Sequence, residues 1–132
     1  MKKILVVCPA PRDSRELICL PRHEEYSFIF HEYSSEHLEK LIYEEGHEEG
    51  RADSTQDILT ALIELAKKEG VAGVISSDDY PGSTFASIIA HALNLTGPHP
   101  ETMLLCQHKY YSRIAQQELR QSISPGCKRS GP

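Results

Sequence analysis

Apolar residues fall in this chain either as short continuous runs or at helical spacing, and the two patterns mark out its elements. Ile4, Leu5, Val6, Val7 and Cys8 form a largely β-branched run stopped by Pro9-Ala10-Pro11, which predicts a strand buried on both faces with a loop behind it. From Arg12 to Glu25 the residues are polar and broken by Pro21, which predicts loop or a weak helix. Tyr26 to Tyr33 is rich in aromatics and predicts a second strand. Ser34-Ser35 then offers a cap to a short helix that carries Leu38, Leu41 and Ile42 and stops at Gly46. Gly46 to Ala52, charged and punctuated by glycine, predicts a mobile loop.

Ser54 with Asp57 three positions on has the form of a capping box, and Ile58, Leu62, Leu65 and Ala66 share one face of the helix expected to run to Gly70. Val71 to Ser77 predicts another buried strand, ending in the polar cluster Ser76-Ser77-Asp78-Asp79-Tyr80-Pro81-Gly82. A helix with Phe85, Ile88, Ile89 and Ala92 along one side should follow, with Gly97-Pro98 as its stop. Thr102 to Leu119 carries a further helical pattern interrupted near Gln107-His108. The order strand, strand, helix, helix, strand, helix, helix predicts an α/β fold, an open and at least partly parallel sheet flanked by helices. The expected domain covers 1–119, and a polar, disordered tail covers 120–132.

Composition narrows the classes of function. With 39% hydrophobic and 25% charged residues, the chain reads as a soluble globular protein. A net charge of -5 argues against a nucleic-acid or anionic-membrane partner. No apolar run approaches the roughly 20 residues of a membrane span, and no small-residue cleavage site follows the first strand, so the expected location is cytoplasmic. Cys8, Cys19, Cys106 and Cys127 are widely spaced without a C-x-x-C pair, which predicts reduced thiols and no structural zinc.

Chemistry in an open α/β sheet gathers at the carboxyl ends of its strands, here Cys8 to Asp13 and Ser76 to Ser83. In the second, Gly82 permits a close backbone approach and the helix behind it presents unpaired N–H groups. Asp78, Asp79, Gly82 and Ser83 are therefore candidate substrate-binding residues, facing a carboxylate or a phosphate. The plainer reading stands beside it: Pro81-Gly82 turns the chain and Asp78 or Asp79 caps a helix. The seven histidines include no H-E-x-x-H motif, so solvated or structural roles are expected and no metal site. Glu44-Glu45 and Glu48-Glu49 read as a solvated loop. There is no P-loop, no G-x-G-x-x-G and no G-x-S-x-G.

Three stretches carry a resemblance: Gly73-Val74-Ile75-Ser76-Ser77-Asp78-Asp79-Tyr80-Pro81-Gly82, Ala90-His91-Ala92-Leu93-Asn94-Leu95-Thr96-Gly97-Pro98, and Cys106-Gln107-His108-Lys109-Tyr110-Tyr111-Ser112-Arg113. Their order and spacing resemble the N-terminal, pre-ATP-grasp domain of ATP-grasp ligases, a Rossmann-like α/β domain that precedes the catalytic subdomains. The resemblance spans residues 2 to 119 and is specific over the last fifty or so of these. It implies a family that joins a carboxylate to an amine through an acyl phosphate, with ATP and magnesium. It also implies cofactor-binding roles for Lys109, against the nucleotide phosphates, and for Arg113 one turn later; the alternative for Lys109 is an ordinary surface lysine. His108 stands where the family has an acidic residue.

The glycine-rich loop, the second lysine, the adenine-binding strand and the magnesium ligands of that family are not encoded here. The chain is therefore expected to be catalytically incompetent alone, with no catalytic residue and no cofactor of its own, ATP and magnesium being implied only for a full-length relative. The polar ending suggests a frameshift or an early stop in a longer ancestral gene. The expected partners are a second copy or a chain that supplies the missing ATP-grasp domain. Two further readings stay open: half of a split ligase completed by another polypeptide, and a small regulatory or ligand-binding module working through the Asp78 to Ser83 loop.

Overall fold

Three strands, β1 (Lys2–Val6), β2 (Tyr26–Phe30) and β3 (Gly73–Ile75), form a wholly parallel sheet in the order β2-β1-β3. The computed structural model describes residues 1–31, 33 and 54–123, of which 121–123 by backbone alone. In register, Leu5 of β1 lies opposite Ile29 on one side and Val74 on the other. The central strand is the one covered on both faces, so Leu5 and Val6 are both buried and its run is apolar without alternation. The two outer strands are half-covered, which leaves Phe30 and Ile75 exposed at their ends.

Strand limits differ from the sequence reading at both ends. β1 begins two residues earlier than the apolar run because Lys3 stays on the ladder and reaches Glu69 with its ammonium at 2.8 Å. Val7 still donates its N–H to the Ile75 carbonyl at 2.9 Å, and the chain then leaves the sheet at Cys8, with φ at 51°. β2 stops at Phe30 and not Tyr33, though the His31 N–H still bonds the Val6 carbonyl at 3.0 Å. β3 keeps only the middle of the expected Val71 to Ser77 run.

Between β1 and β2 the chain makes one helical turn, α1 (Asp13–Glu16), and two 3₁₀ turns, Leu17–Cys19 and His23–Glu25, with Arg22 in the left-handed region between them. The expected helix around Leu38 to Ile42 and the expected mobile loop from Gly46 to Ala52 lie outside the described residues. α2 (Thr55–Glu69) forms its capping box in full: Ser54 Oγ accepts the Asp57 N–H at 3.2 Å while Asp57 Oδ2 accepts the Ser54 N–H at 3.2 Å. It closes in a Schellman motif, with Gly70 at φ 63° and the Val71 N–H on the Ala66 carbonyl at 3.1 Å.

α3 (Gly82–Ala92) departs from its expected face and its expected end. Phe85, Ala86, Ile89 and Ala90 are buried together with Thr84 and Ser87, whereas Ile88 is half-buried and Ala92 exposed. The helix stops at Ala92 because Asn94 takes the left-handed position, φ 53°, and the Leu95 N–H returns to the Ala90 carbonyl at 2.9 Å. A second Schellman motif thus ends it before Gly97-Pro98 is reached. α4 (Pro100–Gln107) starts with proline in its first turn, and α5 (Lys109–Ile123) follows after the single extended residue His108. α5 runs past Leu119 into the stretch expected to be tail; residues 124–132 lie outside the described set.

One core cluster joins Leu5, Val7 and Cys8 to Ile58, Leu62 and Ala66 of α2 and to Phe85 and Ile89 of α3. Cys19 and Cys106 are exposed thiols, and Cys8 is buried. Among the described residues no helix is long and apolar enough to cross a membrane.

Candidate functional site at the strand ends

β1 sends the chain to β2 on one side of the sheet, and the chain later crosses to β3 on the other. The loops after β1 and β3 therefore diverge from one crevice, the switch point at which open parallel sheets place their ligands.

Asp13 ties these two loops together. It is only 5% exposed, and its Oδ2 accepts the Ala10 N–H at 2.8 Å and the Ser77 hydroxyl at 2.7 Å. Burial of a carboxylate is costly unless it is hydrogen-bonded, and both bonds here come from chain already held at the strand ends.

The loop after β3 turns inward on itself. Ser76 Oγ accepts the Asp78 N–H at 3.1 Å, Asp78 Oδ2 accepts the Gly82 N–H at 2.9 Å, and the Asp78 carbonyl accepts the Ser83 N–H at 3.1 Å. The Tyr80-Pro81 peptide is cis. A Cβ on Gly82 would overlap Ser76 Oγ and come within 2.9 Å of Asp78 Cβ, so the glycine is demanded by the packing of the loop itself. The Ser83 hydroxyl bonds the Asp79 carbonyl.

Gln107, the last residue of α4, locks this loop from outside. Its amide nitrogen donates to the Asp79 carbonyl at 2.6 Å and to Ser83 Oγ at 2.5 Å, while its Oε1 accepts the Thr84 hydroxyl at 2.6 Å. The position where an anion would meet the first turn of α3 is filled by the carboxylate of Asp78. Asp78, Asp79, Gly82 and Ser83 are thus brought together, the Asp78 carboxylate, the Asp79 carbonyl and the Ser83 hydroxyl engaged within the loop and with Gln107, whereas the carboxylate of the exposed Asp79 takes part in none of these bonds.

Lys109 and Arg113 sit apart from that network, both exposed on α5, and neither makes an ion pair within the described residues. Lys109 is two positions beyond Gln107, so the clamp fixes where α5 begins. Asp13 and Gln107 had no assigned role in the sequence reading. Asp13 fell inside a flagged strand-end loop, whereas Gln107 appeared as the point where a helix breaks and within the stretch that carries the resemblance.

The end of β2 opens a different hollow, about 520 Å³, lined by Phe30, His31, Tyr33, Asp57, Leu62 and Leu65 among others. The one carboxylate among its described lining residues, Asp57, is already committed to the capping box of α2. Among the described residues no group of three histidine, cysteine or acidic side chains is placed to hold a metal ion.

Fold and site together define a Rossmann-like α/β domain with a parallel open sheet and a closed polar loop at its switch point. Compared with known protein families, with characterised proteins and with solved structures, the chain finds no match.

Proposed function

We propose that this chain is a pre-ATP-grasp-like domain that serves a carboxylate-ligase assembly and performs no ligation alone. The observation that carries the reading is a run of elements: β3, the closed loop to Gly82, α3, the Leu95-Thr96-Gly97-Pro98 turn, α4, and Lys109 at the head of α5. That is the order in which the resembled ligases set these parts before their catalytic subdomains.

Two features support it. Lys109 is exposed and unpaired within the described residues, so its ammonium is available as a compact point charge for phosphates held by another subdomain. The N–H groups at the start of α3 are bonded to Asp78, which suits a loop that positions neighbouring elements better than one that cradles a phosphate itself. On this reading the chain works in the cytoplasm and needs ATP and magnesium only with its complement.

Titration calorimetry with ATP and magnesium tests the proposal. The chain alone should give no heat of binding, binding should appear when the complementary ATP-grasp polypeptide is added, and Lys109→Ala should weaken it about tenfold or more, as loss of one charge-assisted phosphate contact does. Tight magnesium-dependent ATP binding by the chain alone overturns it.

A further inference from the structure

A stripe of small side chains runs along α3, where Ser83, Ala86, Ser87 and Ala90 share one face of the helix. Nothing on that face is longer than a serine. Between the stripe, β3, the Gly97-Pro98 turn and Met103 of α4 the chain leaves a hollow of about 220 Å³. Ala86, Ser87 and Ala90 are buried and form its floor, whereas Ile75, Gly97 and Pro98 are exposed and form its mouth. A Cβ on Gly97 would meet Ala90 Cβ at 3.4 Å, so the turn passes close to the helix there.

The hydroxyls that line this hollow are unequally committed. Ser76 Oγ accepts the Asp78 N–H at 3.1 Å, and Ser83 Oγ accepts from the Gln107 amide and donates to the Asp79 carbonyl. Ser87 is only 2% exposed, yet its hydroxyl has no hydrogen-bond partner among the described residues. A buried hydroxyl without a partner is unfavourable, so the floor carries one polar group that a ligand can satisfy, as donor or as acceptor. The other walls restrict what that ligand is. No charged side chain is among the described lining residues, so a charged ligand would lose its water and gain no counter-ion. An apolar cavity of about 150 Å³ takes a benzene ring, and this hollow has room for a ring with a substituent. The alanines let a flat ring lie close to the helix, and the Met103 thioether makes favourable contact with an aromatic edge.

We infer that the hollow between β3, α3 and α4 binds a neutral, single-ring aromatic molecule whose one hydrogen-bonding substituent is held by Ser87 Oγ. The proposal does not rest on the ligase reading, because no nucleotide or complement enters its test. Phenol and toluene, which differ in that substituent alone, are titrated into the full chain while its amide chemical shifts are followed by NMR, with far-UV circular dichroism as a check on folding. Phenol should bind with a Kd of about 1 mM, the scale open to a ligand this small, and should move the Ser83, Ala86, Ser87 and Ala90 amides. Ser87→Ala should weaken phenol about fivefold or more, as loss of one hydrogen bond does, and leave toluene unchanged. Ser87→Cys, which keeps a side chain of similar size with a weaker donor, gives the same comparison if the alanine variant does not fold. Met103→Ala, at a half-buried position, should weaken both ligands. An absence of shifts up to the solubility limit, which would leave the hollow to water, overturns the proposal. So do shifts confined to other parts of the chain, a phenol affinity indifferent to the change at Ser87, or a folded Ser87 variant that loses toluene as much as phenol.

Discussion

The Ser77 hydroxyl donates to Asp13 Oδ2 at 2.7 Å, and this bond joins the loop that follows the central strand to the loop that follows its neighbour. Sixty-four positions separate the two residues. The carboxylate also holds the Ala10 N–H, so two turns of chain depend on one buried acid. Asp13→Ala should therefore destabilise the fold by about 2–3 kcal/mol, since two donors lose one buried acceptor. Ser77→Ala should cost about 1 kcal/mol, and the double variant less than the sum of the two. Urea denaturation of the four proteins checks this; an Asp13→Ala chain as stable as the parent would sink it.

Two glycines answer differently to the same substitution. Gly70 sits at φ 63° with nothing within 4 Å of an added Cβ, so Gly70→Ala should cost about 1 kcal/mol, all of it backbone strain. At Gly82 the Cβ meets Ser76 and Asp78, so Gly82→Ala should cost about 1–3 kcal/mol through displaced loop atoms. Amide hydrogen exchange separates the two causes. Protection of the Gly82 and Ser83 amides should fall only in the second variant, and unchanged protection there would contradict the packing account.

Ser87 lies sealed in α3, and its hydroxyl has no hydrogen-bond partner among the described residues. Burying an unbonded hydroxyl is unfavourable, so Ser87→Ala should leave stability unchanged or raise it by about 1 kcal/mol. Thermal unfolding decides it. A clear loss of stability would mean that the hydroxyl is bonded.

Acid should weaken the fold through two surface carboxylates, one half-buried and one exposed. The hydrogen bond from Lys3, followed by its charge, holds the Glu69 carboxyl below its ordinary value of 4.5. Hydrogen bonds from Ser54 hold Asp57 below its ordinary 3.8. Groups with lowered values contribute stability that is fully present above their unfolded-state values and is lost as the pH falls through the folded ones. The melting temperature should therefore decline below about pH 4.5 and keep declining under pH 3.8. Lys3→Met should flatten the part of this decline that belongs to Glu69; a curve parallel to the parent's would remove Lys3 from the explanation.

Local signals were legible in the sequence and distant ones were not. The capping box at Ser54 and Asp57, the stripe Ile58, Leu62 and Ala66, and the break at His108 each depend on residues within a turn or two of one another. The continuous run in β1 predicted a strand buried on both faces, and the successive residues Leu5 and Val6, which point to opposite faces, are both buried. The end of α3 was misread because Gly97-Pro98 is a louder stop than Asn94, yet asparagine also tolerates the left-handed conformation and comes first along the chain. Its buried face was misjudged because α3 meets α2 and β3 and also α4, so Thr84, Ala86 and Ser87 are covered where a single apolar stripe was expected. The polar loop was recognised as a cluster. That Asp13 and Gln107 would reach it depends on how three separate elements are set, and no spacing within the chain encodes that directly.

Every ladder bond of the described sheet passes through β1, because β2 and β3 each pair with that strand and not with each other. The sheet resembles a hinge pin with two leaves. Its pin is available early in synthesis, while the second leaf arrives about 70 residues later, so assembly has to wait for a long-range closure. Until Gly73–Ile75 reaches it, the open side of Leu5 and Val6 is an uncovered apolar edge, and that interval is when the chain is most exposed to pairing with the wrong neighbour.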